Sequence, residues 1–113
     1  MNENAKKWVE ALRSGRYKQT SMFLRRKKIS GFCCLGVACE ISGLGQWDDD
    51  GAYLGDVSTL PTEVCNWLGV KSWDPEITLD GNKQTLSYLN DRNELNFRQI
   101  ADLIESHADE IFI

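Results

Sequence analysis

Gly31-Phe32-Cys33-Cys34-Leu35-Gly36-Val37-Ala38-Cys39-Glu40-Ile41 is a nearly uncharged run that holds three of the four cysteines and follows directly on a cationic segment. Such a run has to be buried, and the amphipathic segments around it each need an apolar surface to pack on. It is therefore expected to be the central element of the fold. Cys34, Val37, Ala38 and Ile41 fall at helical spacing and Ser42-Gly43 supplies a C-terminal stop, so a helix is expected from Cys34. Gly36 costs about 1 kcal/mol relative to Ala inside a helix, which points to close approach of another backbone or a ligand there.

Upstream of this run, Met22 to Leu24 and Gly31 to Cys33 are two short apolar pieces around a charged tip, Arg25-Arg26-Lys27-Lys28, and are expected to pair as a hairpin. Earlier still, Trp8, Ala11 and Leu12 give a helix over 4–13, stopped by Ser14-Gly15. Arg16 to Ser21 is polar without a period. Downstream, Gly43 to Val57 reads as a glycine-rich acidic loop, with a hairpin linking Gln46-Trp47 to Ala52-Tyr53-Leu54. Asp48-Asp49-Asp50-Gly51 lacks the alternating ligands and closing glutamate of a calcium loop and is read as a turn.

Pro61 is expected at the first position of a short helix carrying Val64, Cys65, Trp67 and Leu68 and ended by Gly69. Glu76 to Leu79 and Lys83 to Leu86 flank Asp80-Gly81-Asn82 as a second hairpin, and Leu86 to Asn90 then forms a helical turn. Asn96 and Gln99 make a capping box ahead of the stripe Phe97, Ile100, Ala101, Leu103 and Ile104, with His107 at the helix end. Ile111-Phe112-Ile113 is apolar enough to dock on the body or on a second subunit, so a homodimer is one expectation. The layout is α+β: a single small domain over 1–113, of about four short helices packed with one or two β-hairpins.

The chain of 113 residues is long enough to bury a core. Its 42% hydrophobic and 27% charged composition, with no 18-residue apolar run and no charged-then-apolar leader, implies a globule in the cytosol and excludes a membrane span. Cys33, Cys34, Cys39 and Cys65 sit in apolar text and are read as reduced, buried thiols. There is no CxxC pair and the one histidine, His107, is remote, so neither a metal site nor a cofactor is expected.

The net charge of −4 hides an asymmetry. Residues 1–30 carry nine of the thirteen bases against two acids, Glu3 and Glu10, while the rest carry four bases and fifteen acids. The basic third either pairs with the acidic remainder or leaves a cationic face for a phosphate-bearing partner.

Five blocks together, Trp8-Val9-Glu10-Ala11-Leu12-Arg13-Ser14-Gly15-Arg16-Tyr17-Lys18-Gln19, Phe32-Cys33-Cys34-Leu35-Gly36-Val37-Ala38-Cys39, Leu60-Pro61 with Val64 and Trp67-Leu68-Gly69, Leu89-Asn90-Asp91, and Phe97 with Ile100-Ala101-Asp102 and Ile104-Glu105, resemble a family of small proteins met mainly in bacteriophages and prophages. The match spans nearly the whole chain. The resemblance implies a phage or prophage origin and the host bacterial cytoplasm, and supplies no activity and no catalytic residues. Where a glycine-containing turn is expected after the glutamine, this chain reads Gln19-Thr20-Ser21-Met22, which argues against a phosphate cradle in that turn.

The inventory for catalysis is poor: one histidine, no HExxH, no GxSxG, no Walker loop and no Rossmann fingerprint. A Cys33 or Cys34 nucleophile with His107 would need an activated thiol, and buried thiols are inert. Binding is the better reading. Arg13, Ser14, Tyr17, Lys18, Gln19 and Arg25 offer guanidinium forks, hydroxyl and amide donors and an aromatic face, the groups that grip a phosphate and stack a base. The expected ligand is an anionic, nucleotide-type small molecule, and in a phage setting the function would be to sequester a nucleotide signal of a host defence system. The rival is a protein–protein inhibitor of a host defence protein, of the anti-CRISPR or anti-restriction kind, acting through its acidic surface or through Trp47, Tyr53 and Trp73. Direct nucleic-acid binding or a small enzyme comes third.

Overall fold

In the computed structural model, which describes residues 1–92 and 95–113, the cysteine-rich run forms strand and then helix around which the other elements close. Helix α1 (Glu3–Arg13) turns Ala5, Trp8, Val9, Ala11 and Leu12 inward. Helix α2 (Cys34–Ser42) is buried from Cys34 to Cys39, and α1 packs across it. Trp8 is the hinge of that contact: its ring is fully buried and its Nε1–H donates to the Cys34 carbonyl at 2.9 Å. A buried indole N–H needs such a partner, and here it finds a carbonyl of the first turn of α2.

Three two-residue strands precede α2: β1 (Lys18–Gln19), β2 (Arg25–Arg26) and β3 (Gly31–Phe32), in the order β1-β3-β2. The expected hairpin is present with its pairing moved toward the tip. Arg25 faces Phe32 and Arg26 faces Gly31, while Leu24 joins only through its carbonyl, which accepts from Cys33 N–H at 3.2 Å. Met22 and Phe23 stay outside the ladder and exposed. The polar stretch that lacked a period supplies β1, parallel to β3. A parallel edge of two residues leaves no periodicity to read, because it is specified by its partner.

Helix α3 (Thr62–Leu68) begins one residue later than expected, since Pro61 has the extended backbone of an N-cap, φ −60° and ψ 151°. Strands β4 (Glu76–Leu79) and β5 (Asn82–Thr85) close through Asp80 and Gly81, both left-handed at φ 50° and 81°, the two-residue turn that matches strand twist. Asn82 thereby belongs to the strand. Helix α4 (Leu86–Asp91) follows, then α5 (Phe97–Ser106), which opens on the reciprocal Asn96–Gln99 capping box, and a short α6 (Ala108–Ile111). The expected hairpin at 46–54 reduces to isolated bridges joining Trp47, Tyr53 and Asp56. At the C-terminus Ile111 and Phe112 dock on the body beside Val70, and Ile113 is left 95% exposed.

The architecture is α+β, with four helices of seven residues or more and two small sheets among the described residues. One contiguous core joins α1 to α5 through Trp8, Leu12, Leu35, Val37, Leu86, Leu89, Ile100 and Ile104. Full burial of a Leu, Ile or Val side chain contributes roughly 1.5–3 kcal/mol, so this cluster is the main favourable term. All four cysteines are free and buried within it. Among the described residues no helix is long and apolar enough to cross a membrane.

Candidate functional site

The six residues expected to bind ligand meet three different fates. Arg13, at the end of α1, reaches α5, where its guanidinium pairs with Asp102 at 2.6 Å and with Glu105. Ser14 donates its hydroxyl to the Ala11 carbonyl at 2.7 Å and accepts from Arg16 N–H, which closes α1. Gln19 turns inward, donating Nε2–H to Asn90 Oδ1 and to the Leu95 carbonyl, both at 2.8 Å. These three groups hold the fold together. Lys18 stands exposed on β1.

Tyr17 and Arg25 do converge. Tyr17 meets Phe32 edge-on at 5.8 Å, and Phe32, Trp47 and Tyr53 continue as a ladder of rings spaced 5.8 and 4.8 Å apart. The Arg25 guanidinium lies 5.8 Å from the Phe32 ring centre and 5.6 Å from that of Trp47. The ring quadrupoles favour its charge. Its Nε is buried with no hydrogen-bond partner, and among the described residues no carboxylate pairs with it. A buried N–H left without a partner costs about 1–3 kcal/mol.

Arg25 opens onto a groove of about 470 Å³ between the hairpin tip and the turn at 49–51. Arg26, Lys27 and Lys28 continue its cationic wall, because the chain coils into a 3-10 turn over Lys27–Ile29 and reverses at Ser30, which is left-handed at φ 51°. Phe23, 42% exposed, adds an aromatic face with the Arg26 guanidinium 5.0 Å from its ring centre. Asp49 and Asp50 line the opposite side, and Asp49 reaches Lys27 at 3.4 Å. The basic cluster was visible in the sequence. What pattern reading could not find is that Phe23, Phe32, Trp47 and the acidic turn meet it, since they come from segments up to 28 residues apart with no shared period.

The thiols offer no rival site. Burial pushes Cys33 up to about 12 and also raises Cys34 and Cys39, and Cys65 is raised to about 11 by the same cause. An activated nucleophile needs the opposite shift. Cys33 instead caps α2, its Sγ accepting from Gly36 N–H at 3.4 Å. Asp74 is likewise raised by burial, opposed by the Ser87 hydroxyl and amide that donate to it. Of the aromatics suited to a protein interface, Tyr53 is 2% exposed and Trp47 is in the ladder, while Trp73 lies on the surface at 63%. Among the described residues no three His, Cys, Asp or Glu side chains are grouped to hold a metal ion.

Fold and groove together define a small α+β domain built on a buried cysteine-rich helix. Residues 1–108 match the family described as a domain of unknown function, DUF8296, and the chain belongs to that family. Neither a curated protein nor a solved structure matches the chain.

Proposed function

We propose that the protein is a non-enzymatic binding module that takes a phosphate-bearing, nucleotide-type small molecule in the groove between the hairpin tip and the 49–51 turn. The observation that supports this reading is Arg25, whose guanidinium lies 5.8 and 5.6 Å from the Phe32 and Trp47 ring centres, pairs with no carboxylate among the described residues and lines the groove. A planar fork in that state suits a phosphate oxygen. Arg26, Lys27 and Lys28 add charge, and Phe23 offers a ring face on which a base stacks. Of the six residues anticipated for the ligand, Arg25 is the one at its centre, and Tyr17 supports it through Phe32.

In the phage setting that the sequence resemblance implies, such a module would sequester a nucleotide signal of a host defence system in the bacterial cytoplasm. Calorimetric titration with cyclic and ADP-ribose-type nucleotides tests the binding. Saturable binding that weakens with salt and falls at least ten-fold in a Lys27→Ala/Lys28→Ala double variant is expected. Absence of binding to every nucleotide, with no small molecule released on denaturation of purified protein, would sink the reading. In that event Trp73, exposed and lining a surface hollow with Ile113, favours the protein–protein inhibitor, and a stoichiometric host protein in a pull-down is its signature.

A further inference from the structure

We infer that the hairpin tip over 22–29 is a contact surface for an anionic lipid bilayer, an attachment that goes beyond the nucleotide reading and does not rest on it. Large apolar side chains are left in solvent here, Met22 at 62%, Phe23 at 42% and Ile29 at 44% exposed. The same eight residues hold the run Arg25-Arg26-Lys27-Lys28. Phe23 and Ile29 line one hollow with all four cations, and the Arg26 guanidinium lies 5.0 Å from the Phe23 ring centre. Apolar side chains set among cations are what an interfacial segment presents to a bilayer: the first enter the acyl boundary while the second stay at the lipid phosphates.

The backbone, not loose side chains, sets this exposure. Leu24 is fully buried and its N–H donates to the Val57 carbonyl at 2.7 Å, which pins the middle of the segment to the core. Just before it Met22 is left-handed at φ 75°, and the Ser21 carbonyl accepts from Phe23 N–H and from Arg26 Nε, each at 3.0 Å. Beyond Ile29 the chain reverses at the left-handed Ser30, whose N–H donates to the Lys27 carbonyl at 3.2 Å.

Charge selects the partner and its orientation. The tip and the turn facing it carry four bases against Asp49 and Asp50, whereas the remainder of the chain carries nine bases against fifteen acids. An anionic surface therefore attracts this end of the molecule and repels the rest, over a range that salt shortens. The backbone of a nucleic acid would also answer the cations, but Met22 and Ile29 give its bases no ring to stack on. The contact is with the bilayer surface, since among the described residues no helix is long and apolar enough to cross a membrane.

The experiment is co-sedimentation of the full chain with vesicles of phosphatidylcholine alone and of phosphatidylcholine and phosphatidylglycerol in equal parts. Binding to the mixed vesicles is expected to be at least about ten-fold tighter than to the neutral ones and to fade in high salt. Met22→Ser/Ile29→Ser is expected to weaken vesicle binding by about ten-fold while leaving any nucleotide titration unchanged, because neither residue is placed against the nucleotide. Lys27→Ala/Lys28→Ala should weaken vesicle binding by about ten-fold or more. Failure to sediment with the mixed vesicles, or undiminished sedimentation of Met22→Ser/Ile29→Ser, overturns the inference and leaves the nucleotide reading to its own titration. Retention on an oligonucleotide tighter than on the mixed vesicles, and unchanged by the apolar variant, also overturns it and transfers the tip to nucleic acid. Vesicle binding without nucleotide binding sinks the nucleotide reading and leaves this inference standing. The substituted side chains are exposed, so the variants fold, which their melting curves check.

Discussion

The carbonyl oxygen of Leu24 lies only 1.8 Å from where a β-carbon on Gly36 would stand. That carbonyl cannot retreat, because it accepts from Cys33 N–H at 3.2 Å while the Leu24 amide donates to the Val57 carbonyl at 2.7 Å. Helix α2 and the hairpin thus meet backbone to backbone at the one residue without a side chain. Gly36→Ala is expected to destabilise the fold by about 3 kcal/mol or more, at or beyond the usual cost of overpacking. Gly55→Ala, where φ is 91° but nothing lies within 4 Å, should cost only the left-handed penalty of about 1–2 kcal/mol. Urea denaturation of both decides it, and equal costs would refute the close-approach account.

Asn90 is the buried polar hub of the molecule. Its Oδ1 accepts from Gln19 Nε2–H at 2.8 Å and Cys34 N–H at 3.2 Å, and its Nδ2 donates to the Thr20 carbonyl and Asp91 Oδ1, both at 2.8 Å. Asn90→Ala strands several of these groups at once and should cost about 2–4 kcal/mol, whereas Gln19→Ala should cost about 1 kcal/mol. The double variant is expected to be less destabilised than the two costs added. Strict additivity in chemical denaturation would show that the two side chains act independently.

The four thiols predict an alkaline weakness. Each folded thiol is raised by burial, to about 12 for Cys33 and about 11 for Cys65, whereas an unfolded thiol ionises near 8.5. The native state keeps protons that the unfolded state gives up, so the contribution is complete below about pH 8.5 and is lost as pH rises toward the folded values. Under reducing conditions stability should fall above pH 8.5 by up to about 1.4 kcal/mol per pH unit for each thiol. In the native protein a thiol-titrating disulfide reagent at pH 8 should react slowly with all four, Cys65 first, and unfolding should release them together. Rapid reaction of Cys33 or Cys34 in the folded state would reopen the question of catalysis.

Arg13 joins α1 to α5 at the surface, through Asp102 and Glu105, which raise its already high pKa by hydrogen bonds and charge. Exposed ion pairs are screened, so Arg13→Ala should cost no more than about 1 kcal/mol, less in high salt. Ligand affinity should stay within two-fold of native, since the residue is committed to α5. A large loss of binding with unchanged stability would return Arg13 to the site.

What the sequence by itself determined lies in local spacing. The inward stripe of α1, the Asn96–Gln99 box, the presence of a hairpin turn around Asp80-Gly81 and the helix Cys34–Ser42 with its stop at Gly43 each depend on residues within a few positions of one another. The special place of Gly36 was legible for the same reason, since a glycine inside a helix breaks a local rule and has to be compensated elsewhere. Tertiary structure decided the rest. Arg13, Ser14, Tyr17, Lys18, Gln19 and Arg25 look alike as donors in a row. Ser14 is consumed within its own helix end, but the commitment of Arg13 and Gln19 depends on α5 and Asn90, 71 or more residues away from them. Strand β1 exists only because β3 lies beside it, and the groove exists only because the acidic turn closes over Arg25. Hydrogen-bond donors carry no mark of their partner in the chain, so their availability to a ligand is settled by what folds against them.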